Sequence, residues 1–295
     1  RMRASITYFP SFFDFFTTVL QNDPSGRLTN LVENFVEASF FNLLDEDKNY
    51  VFIHCSGISN NDSRIDWGSY FLSNVLFTKS LIKSLPKNVR SFIFLSSIDV
   101  YGKSDLVGIS TPTNPVSLYA KSKMLCEETL HGASELRSGV RFDVVRVPPV
   151  YGPGHHSKFK WLSRMATLGI VGVPRLLDER RAFIGVRNLS DFIYRLGFEK
   201  EEGYFLHLVS DNETISVRRW AEIAVSVQPS RGWCGINVLL TYLLWLLPER
   251  LLKSELSKMN RRCILGDDRG SMAQRWCAPY TVEEEMSYVF KGSDE

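Results

Sequence analysis

Two periodicities of apolar positions alternate along the first half of the chain. Residues 4–7 read as a short strand, followed by an aromatic-rich helix to residue 20, and residues 31–44 carry apolar positions at helical spacing. Residues 50–54 are a short apolar run of the kind that forms a buried strand. Residues 68–85 place Phe71, Val75, Leu76, Leu81 and Ile82 at helical spacing. A strand over 91–96, a helix over 118–130 and a strand over 142–147 continue the series. Near-continuous apolar strands separated by amphipathic helices predict an α/β fold with a doubly wound parallel sheet covered on both faces.

Past Gly154 the segments shorten. Strand-like pieces at 182–186 and 204–208 and helical pieces at 189–197, 217–227 and 237–247 predict a smaller C-terminal substrate-binding lobe, partly interleaved with the main sheet. The expected division is a main domain over 1–154 and the lobe over 155–295.

Composition excludes several function classes. The 295 residues are 44% hydrophobic and 23% charged with a formal net charge of +2, so no charge imbalance points to nucleic acid. The strongest apolar run, residues 236–247, is too short to span a bilayer and is closed by Pro248. The stretch from Arg1 to Gln21 lacks the apolar core and cleavage site of a signal peptide. The five cysteines (Cys55, Cys126, Cys234, Cys263, Cys277) form no Cys-x-x-Cys, which predicts reduced thiols in a cytoplasmic protein. His155-His156 has no acidic or thiol partner at metal-ligand spacing, so no metal site is expected.

Parallel sheets bind ligands beyond the carboxyl ends of their strands. Cys55-Ser56-Gly57, Ser96-Ser97 and Pro148-Pro149 each follow a strand directly, so three segments converge on one edge. Tyr119 and Lys123, four apart on a helix, share a face. A Lys ammonium there favours the tyrosinate and makes the phenol a usable proton carrier. With Ser97 presented from a strand end, the set suits moving a proton on a carbinol while a cofactor takes its hydride. Asp99, just beyond Ser97, reads either as an acid–base group or as a turn cap.

The ordered segments resemble the extended short-chain dehydrogenase/reductase family, and within it the nucleotide-sugar epimerases, dehydratases and ketoreductases. The resemblance rests on Val51-Phe-Ile-His-Cys-Ser-Gly57, where the family has His-x-Ala-Ala/Gly beside the cofactor. It also rests on Asn74, on Phe94-Leu-Ser-Ser-Ile-Asp-Val-Tyr-Gly102 and on Pro115-Val-Ser-Leu-Tyr-Ala-Lys-Ser-Lys123. Arg146-Val-Pro-Pro-Val-Tyr-Gly-Pro-Gly154, Arg181-Ala-Phe-Ile-Gly-Val-Arg-Asn-Leu189, the lobe strand at Phe205 to Asp211 and the closing Trp276-Cys-Ala-Pro-Tyr-Thr-Val-Glu-Glu284 extend it.

The resemblance implies a Rossmann-like sheet and catalytic roles for Ser97, Tyr119 and Lys123. Lys123 would hold the nicotinamide ribose and lower the phenol's pKa. NAD or NADP would be held by Ser11, Phe12, Phe13, Cys55, Ser56, Gly57, Asn74, Tyr119, Lys123 and Pro148. A nucleotide-diphosphate sugar would meet Ser97, Pro149, Lys158, Phe159 and Arg181, the last on the diphosphate. The implied reaction is C4 epimerisation or ketoreduction of a UDP-N-acetylhexosamine or its 4-keto derivative in surface-polysaccharide biosynthesis, by a homodimer. A dehydratase would need an Asp-Glu pair where Ile98-Asp99 stands, so dehydration is disfavoured.

The N-terminus departs from the family. Aligned on Thr7-Tyr-Phe-Pro-Ser-Phe-Phe-Asp14, the pair Phe12-Phe13 is kept, but Tyr8, Ser11 and Asp14 occupy the three glycine positions of the pyrophosphate loop. Side chains there obstruct close backbone approach. Either a remodelled loop binds the dinucleotide, or the chain is a non-catalytic nucleotide-sugar- or protein-binding subunit, or the family's glycine loop lies outside this sequence.

Overall fold

The computed structural model describes residues 44–58, 65–153, 179–227 and 262–291. Its centre is a four-stranded sheet of β1 (Tyr50–His54), β2 (Val89–Ser97), β3 (Arg141–Val147) and β4 (Gly203–Leu208), in that order. Every neighbouring pair is parallel.

Successive residues of β2 serve opposite faces. Phe92 and Phe94 pack with Val75, Leu81, Leu130, Phe142 and Val144 on one side, and Ile93 packs with Val145, Leu189, Phe192 and Leu196 on the other. Both faces of β2 are therefore covered, which is why its run from Phe92 to Leu95 is continuously apolar. Phe92 is fully buried, stacks on Phe52 at 5.3 Å and meets Phe142 at 6.1 Å. Burying one such ring stabilises the sheet by about 1.5–3 kcal/mol.

The first covering layer begins at α1 (Trp67–Tyr70), where the Asp66 carboxylate accepts the Ser69 N–H at 2.8 Å. A π-helical turn over Phe71–Leu76 follows, and α2 (Phe77–Lys83) completes the run. The single helix expected over 68–85 is thus interrupted by a widened turn that carries Asn74, and such turns recur at functional sites. Arg137 caps the end of this run, donating to the carbonyls of Leu85 at 2.8 Å and Lys83 at 3.2 Å. Beside it lies α3 (Leu118–Leu136), started by the Ser117 hydroxyl accepting from the Ala120 N–H at 3.0 Å. The other face is covered by α4 (Val186–Leu196).

A separate apolar cluster gathers Tyr151, Phe183, Ile215, Trp220, Ile223, Val282, Met286 and Val289, joining α5 (Val217–Ser226) to α6 (Val282–Lys291). The strand at 204–208, expected in a lobe partly interleaved with the main sheet, is β4 of that sheet, hydrogen-bonded along β3. One expectation is corrected. The piece at 182–186 is not one strand: Arg180–Arg181 and Ile184–Gly185 are two-residue strands in different small sheets, and Val186 already begins α4. Residues 4–20, 31–43 and 236–247 lie outside the described residues, as do His155-His156 and Cys234. No helix among the described residues is long and apolar enough to cross a membrane.

Candidate active site

The carboxyl ends of β1, β2 and β3 form one edge of the sheet, and the loops leaving them carry Cys55 to Gly57, Ser97 to Asp99 and Pro148-Pro149. Helix α3 brings Tyr119 and Lys123 to the same edge. Ser97 is extended (φ −145°, ψ 145°), ends β2 and caps the short 3-10 turn Ile98–Tyr101, its Oγ accepting the Asp99 N–H at 3.2 Å. The turn closes at Gly102, whose φ of +63° and 2.0 Å approach of a would-be Cβ to the Asn114 carbonyl leave no room for a side chain.

Tyr119 is half-buried, and its ring lies 6.5 Å from that of Tyr70. Burial drives its phenol above the usual tyrosine range, and the Asp99 charge pushes the same way, while a hydrogen bond with Ser97 pulls it back. This corrects the expected effect of Lys123. The Lys123 Nζ donates to the Leu95 carbonyl at 2.9 Å, sits 4.6 Å from the Phe94 ring centroid and stays 6.0 Å from the Tyr119 ring centroid. Lys123 is only 6% exposed, and burial lowers its own pKa against the opposing pull of Cys126, Cys55 and Glu127. In this geometry the phenol keeps its proton at neutral pH.

Asn74 ties the cofactor edge to α3. Its Oδ1 accepts the Ile58 N–H at 2.7 Å, and its Nδ2 donates to the Ile58 carbonyl at 3.2 Å and to Ser122 Oγ at 2.8 Å. Ser122 in turn donates to the Tyr119 carbonyl at 2.8 Å. Gly57, with φ +125°, lies so close that a Cβ would stand 2.6 Å from Asn74 Oδ1. The exposed Cys55, Ser56 and Gly57 are therefore held open at the edge by a side chain that is itself committed to protein partners.

His54 has a defined tautomer. Thr78 gives its hydroxyl proton to the Asn74 carbonyl at 2.6 Å, so it accepts from His54 Nε2–H at 2.8 Å, and Nδ1 accepts from Ser56 at 3.0 Å. Burial first, and the Lys123 charge second, lower the His54 pKa to about 3 from 6.5. Above about pH 6.5 neither folded nor unfolded chain protonates this ring. Below it the unfolded chain takes a proton that the folded chain refuses, so stability falls by about 1.4 kcal/mol per pH unit until about pH 3. Denaturant melts at about pH 7.5 and 5 should show His54→Gln losing about 2 kcal/mol less than the parent on acidification. Parallel losses would refute the buried neutral ring.

Behind these groups lies a buried network whose roles sequence reasoning missed. Arg146 on β3 donates from Nη2 to Glu127 Oε2 at 2.6 Å and from Nη1 to the Tyr101 hydroxyl at 2.6 Å, and Ser96 donates to Glu127. Burial alone would lower the Arg146 pKa, but Glu127 outweighs it and holds the guanidinium above its ordinary range. The available signal was the spacing: Glu127 stands four residues after Lys123, on the same helix face.

Pro148 is buried and Pro149 half-buried directly after β3. Arg181 is 8% exposed with its guanidinium 5.7 Å from the Phe183 ring centroid, whereas Arg180 is exposed. Ser11, Phe12, Phe13, Lys158 and Phe159 lie outside the described residues. The groups that are described suit a dinucleotide laid along the edge: an open backbone loop at Cys55–Gly57 and a buried ammonium behind it.

The NAD dependent epimerase/dehydratase family model matches residues 27–203. The UDP-glucose 4-epimerase of Vibrio cholerae is 29% identical over 174 residues, 55% of this chain and 53% of that protein, so the match spans about half the relative's length. Two solved structures share the fold. RMD from Pseudomonas aeruginosa, complexed with NADPH, superposes with a TM-score of 0.62 at 18% identity, covering 89% of this chain and 86% of its own. The UDP-glucuronic acid 4-epimerase of Bacillus cereus, in complex with NAD, gives 0.63 at 16%, covering 89% and 78%. Since the family match takes in more than half of the chain and spans both the strand end at Ser97 and the helix that carries Tyr119 and Lys123, this protein belongs to the NAD-dependent epimerase/dehydratase family.

Proposed function

We propose that the chain is an NAD(P)-dependent oxidoreductase of nucleotide-diphosphate sugars, acting at the C4 carbinol as an epimerase or ketoreductase on a UDP-hexose, with UDP-N-acetylhexosamine or its 4-keto derivative as the expected substrate. The observation that carries this reading is the Ser97–Tyr119 hydroxyl pair backed by buried Lys123 at the ligand edge of a parallel sheet. The nicotinamide supplies the hydride chemistry when bound. Tyr119, protonated at neutral pH, gives its proton to the C4 oxygen as that oxygen gains charge, and recovers it in the reverse direction. Ser97, with its acceptor side occupied by the Asp99 N–H, orients the same oxygen through its own proton. Lys123, fixed behind the tyrosine by the Leu95 carbonyl, is the group that would hold a nicotinamide ribose hydroxyl when the cofactor is bound. Surface-polysaccharide biosynthesis in the cytoplasm, with the chain as a homodimer, is the setting this reading implies.

A second reading, a non-catalytic subunit on the same fold, is favoured by Tyr8, Ser11 and Asp14 at the family's glycine positions. Titration of the purified chain with NADH, followed by nicotinamide fluorescence, separates the two. The enzyme reading expects saturable binding with a Kd in the micromolar range, about −8 kcal/mol. Absence of binding of both NADH and NADPH at millimolar concentration would favour the silent subunit instead.

A further inference from the structure

Asp211 follows the carboxyl end of β4, on the same edge as Ser97 and the Pro148-Pro149 loop, and is 2% exposed. Its carboxylate is bonded on three sides. Oδ2 accepts the Tyr151 hydroxyl at 2.5 Å, and Oδ1 accepts the Gly185 N–H at 3.0 Å and Asn188 Nδ2 at 2.7 Å. Tyr151 and Gly185 belong to two short arms that run parallel, Val150–Tyr151 beside Ile184–Gly185, and the Ile184 N–H donates to the Pro149 carbonyl at 3.3 Å. One arm leaves Pro149 and the other leaves Arg181, both expected to meet a nucleotide sugar. The Asp211 N–H adds a further tie, to the Phe183 carbonyl at 2.8 Å. Gly185 brings no side-chain cap to α4, so the Asp211 carboxylate and Glu285, which accepts the Asn188 N–H at 2.9 Å, serve the start of that helix instead. Asn188 is fixed in turn by the Tyr280 backbone, donating to its carbonyl and accepting its N–H, each at 3.0 Å.

We propose that Asp211 is a positioning residue for the nucleotide-sugar half of the site, holding the Pro149 and Arg181 arms in one register so that they meet the ligand already assembled. Binding then need not supply the ordering of either arm, and affinity for the sugar nucleotide rises accordingly. A ladder two residues long does little to fix its own register, whereas a buried carboxylate with three donors around it specifies a single arrangement. The charge is held against its own solvation: burial raises the Asp211 carboxyl above the usual carboxylate range, and the bonds from Tyr151, Gly185 and Asn188 pull it back. Buried as it is, Asp211 acts through Tyr151 and Gly185 rather than on the ligand. The cofactor half of the edge is fastened separately, by Asn74 to Ile58 and to Ser122 of α3.

This assignment deepens the nucleotide-sugar reading and rests on it, so its test compares two ligands. Calorimetric titration of the full chain measures UDP-glucose with NAD present and NADH alone, beside thermal melts. Tyr151→Phe, which removes only the hydroxyl, and Asp211→Ala should each weaken UDP-glucose at least about tenfold while NADH affinity stays within about threefold. Asp211→Asn keeps both Oδ1 contacts and turns an amide N–H toward the Tyr151 oxygen, so it should stay within about threefold of the parent for both ligands. Should Asp211→Ala fail to fold, Tyr151→Phe and Asp211→Asn carry the comparison. A folded Tyr151→Phe that binds UDP-glucose like the parent overturns the Asp211 assignment and leaves the nucleotide-sugar reading standing. Equal weakening of UDP-glucose and NADH does the same, because general loosening of the fold accounts for it. A parent that binds no UDP-glucose overturns both.

Discussion

Tyr119→Phe is expected to reduce turnover of a UDP-hexose by about 10²–10⁴-fold, the contribution of a positioned acid–base group. The ring packs beside Tyr70 and is kept by phenylalanine, so thermal melting should shift little. The lost atom is the one that meets Ser97. Because burial and the Asp99 charge raise the phenol's pKa, its protonated form persists through neutrality. A rate that depends on proton donation should therefore hold across the neutral range and decline only above the ordinary tyrosine titration, near pH 10. Asp99→Asn removes one of the raising charges, so that decline should begin at lower pH. Unimpaired turnover in Tyr119→Phe would remove the proposed chemistry altogether.

The largest loss of stability is expected at the Glu127–Arg146 pair. Both side chains are under 8% exposed, and Arg146 also meets Tyr101. Glu127→Leu strands a buried guanidinium, which costs about 3–5 kcal/mol. Replacing both members, Glu127→Leu with Arg146→Met, removes the uncompensated charge and should recover most of that loss, because a buried ion pair is worth little over apolar packing of similar volume. Urea denaturation of parent, single and double variants measures each arm. A single variant within about 1 kcal/mol of the parent would mean that water reaches the guanidinium. The same pair fastens α3 to β2 and β3, so the helix that carries Tyr119 and Lys123 is held from below by a contact outside the reacting site.

Local pattern and tertiary geometry divide this protein unevenly. Strand β2 was legible because a strand buried on both faces must be apolar along its core, as Phe92 to Leu95 are, and β1 and β3 were legible as short runs rich in Val, Ile and Phe. Helix α3 was legible as a helix over 118–130, and the fold carries it on to Leu136. Strand β4 was legible as a strand of a lobe interleaved with the main sheet but not as the partner of β3, since that pairing joins segments about sixty residues apart and nothing in a six-residue run encodes its neighbour. The run 182–186 failed for a related reason: apolar residues that fill a junction need not extend, and here they connect two short ladders.

The site shows the same division. The identities and spacing of Ser97, Tyr119 and Lys123 follow from chain order, because a strand end and one helical turn are local geometry. The charge state of Tyr119 does not. It depends on desolvation and on where Asp99 and Lys123 sit in three dimensions, and the fold turns Lys123 toward Leu95 while leaving Asp99 facing the edge. Glu127 and Arg146 likewise become partners only when α3 lies across β3. Residue order along the chain was enough for the sheet's character and for singling out Ser97, Tyr119 and Lys123, since backbone periodicity and side-chain chemistry are carried by neighbours. Strand order, hydrogen-bond direction and electrostatic balance emerged only on folding, because burial and Coulomb forces act through space between residues that the chain holds far apart.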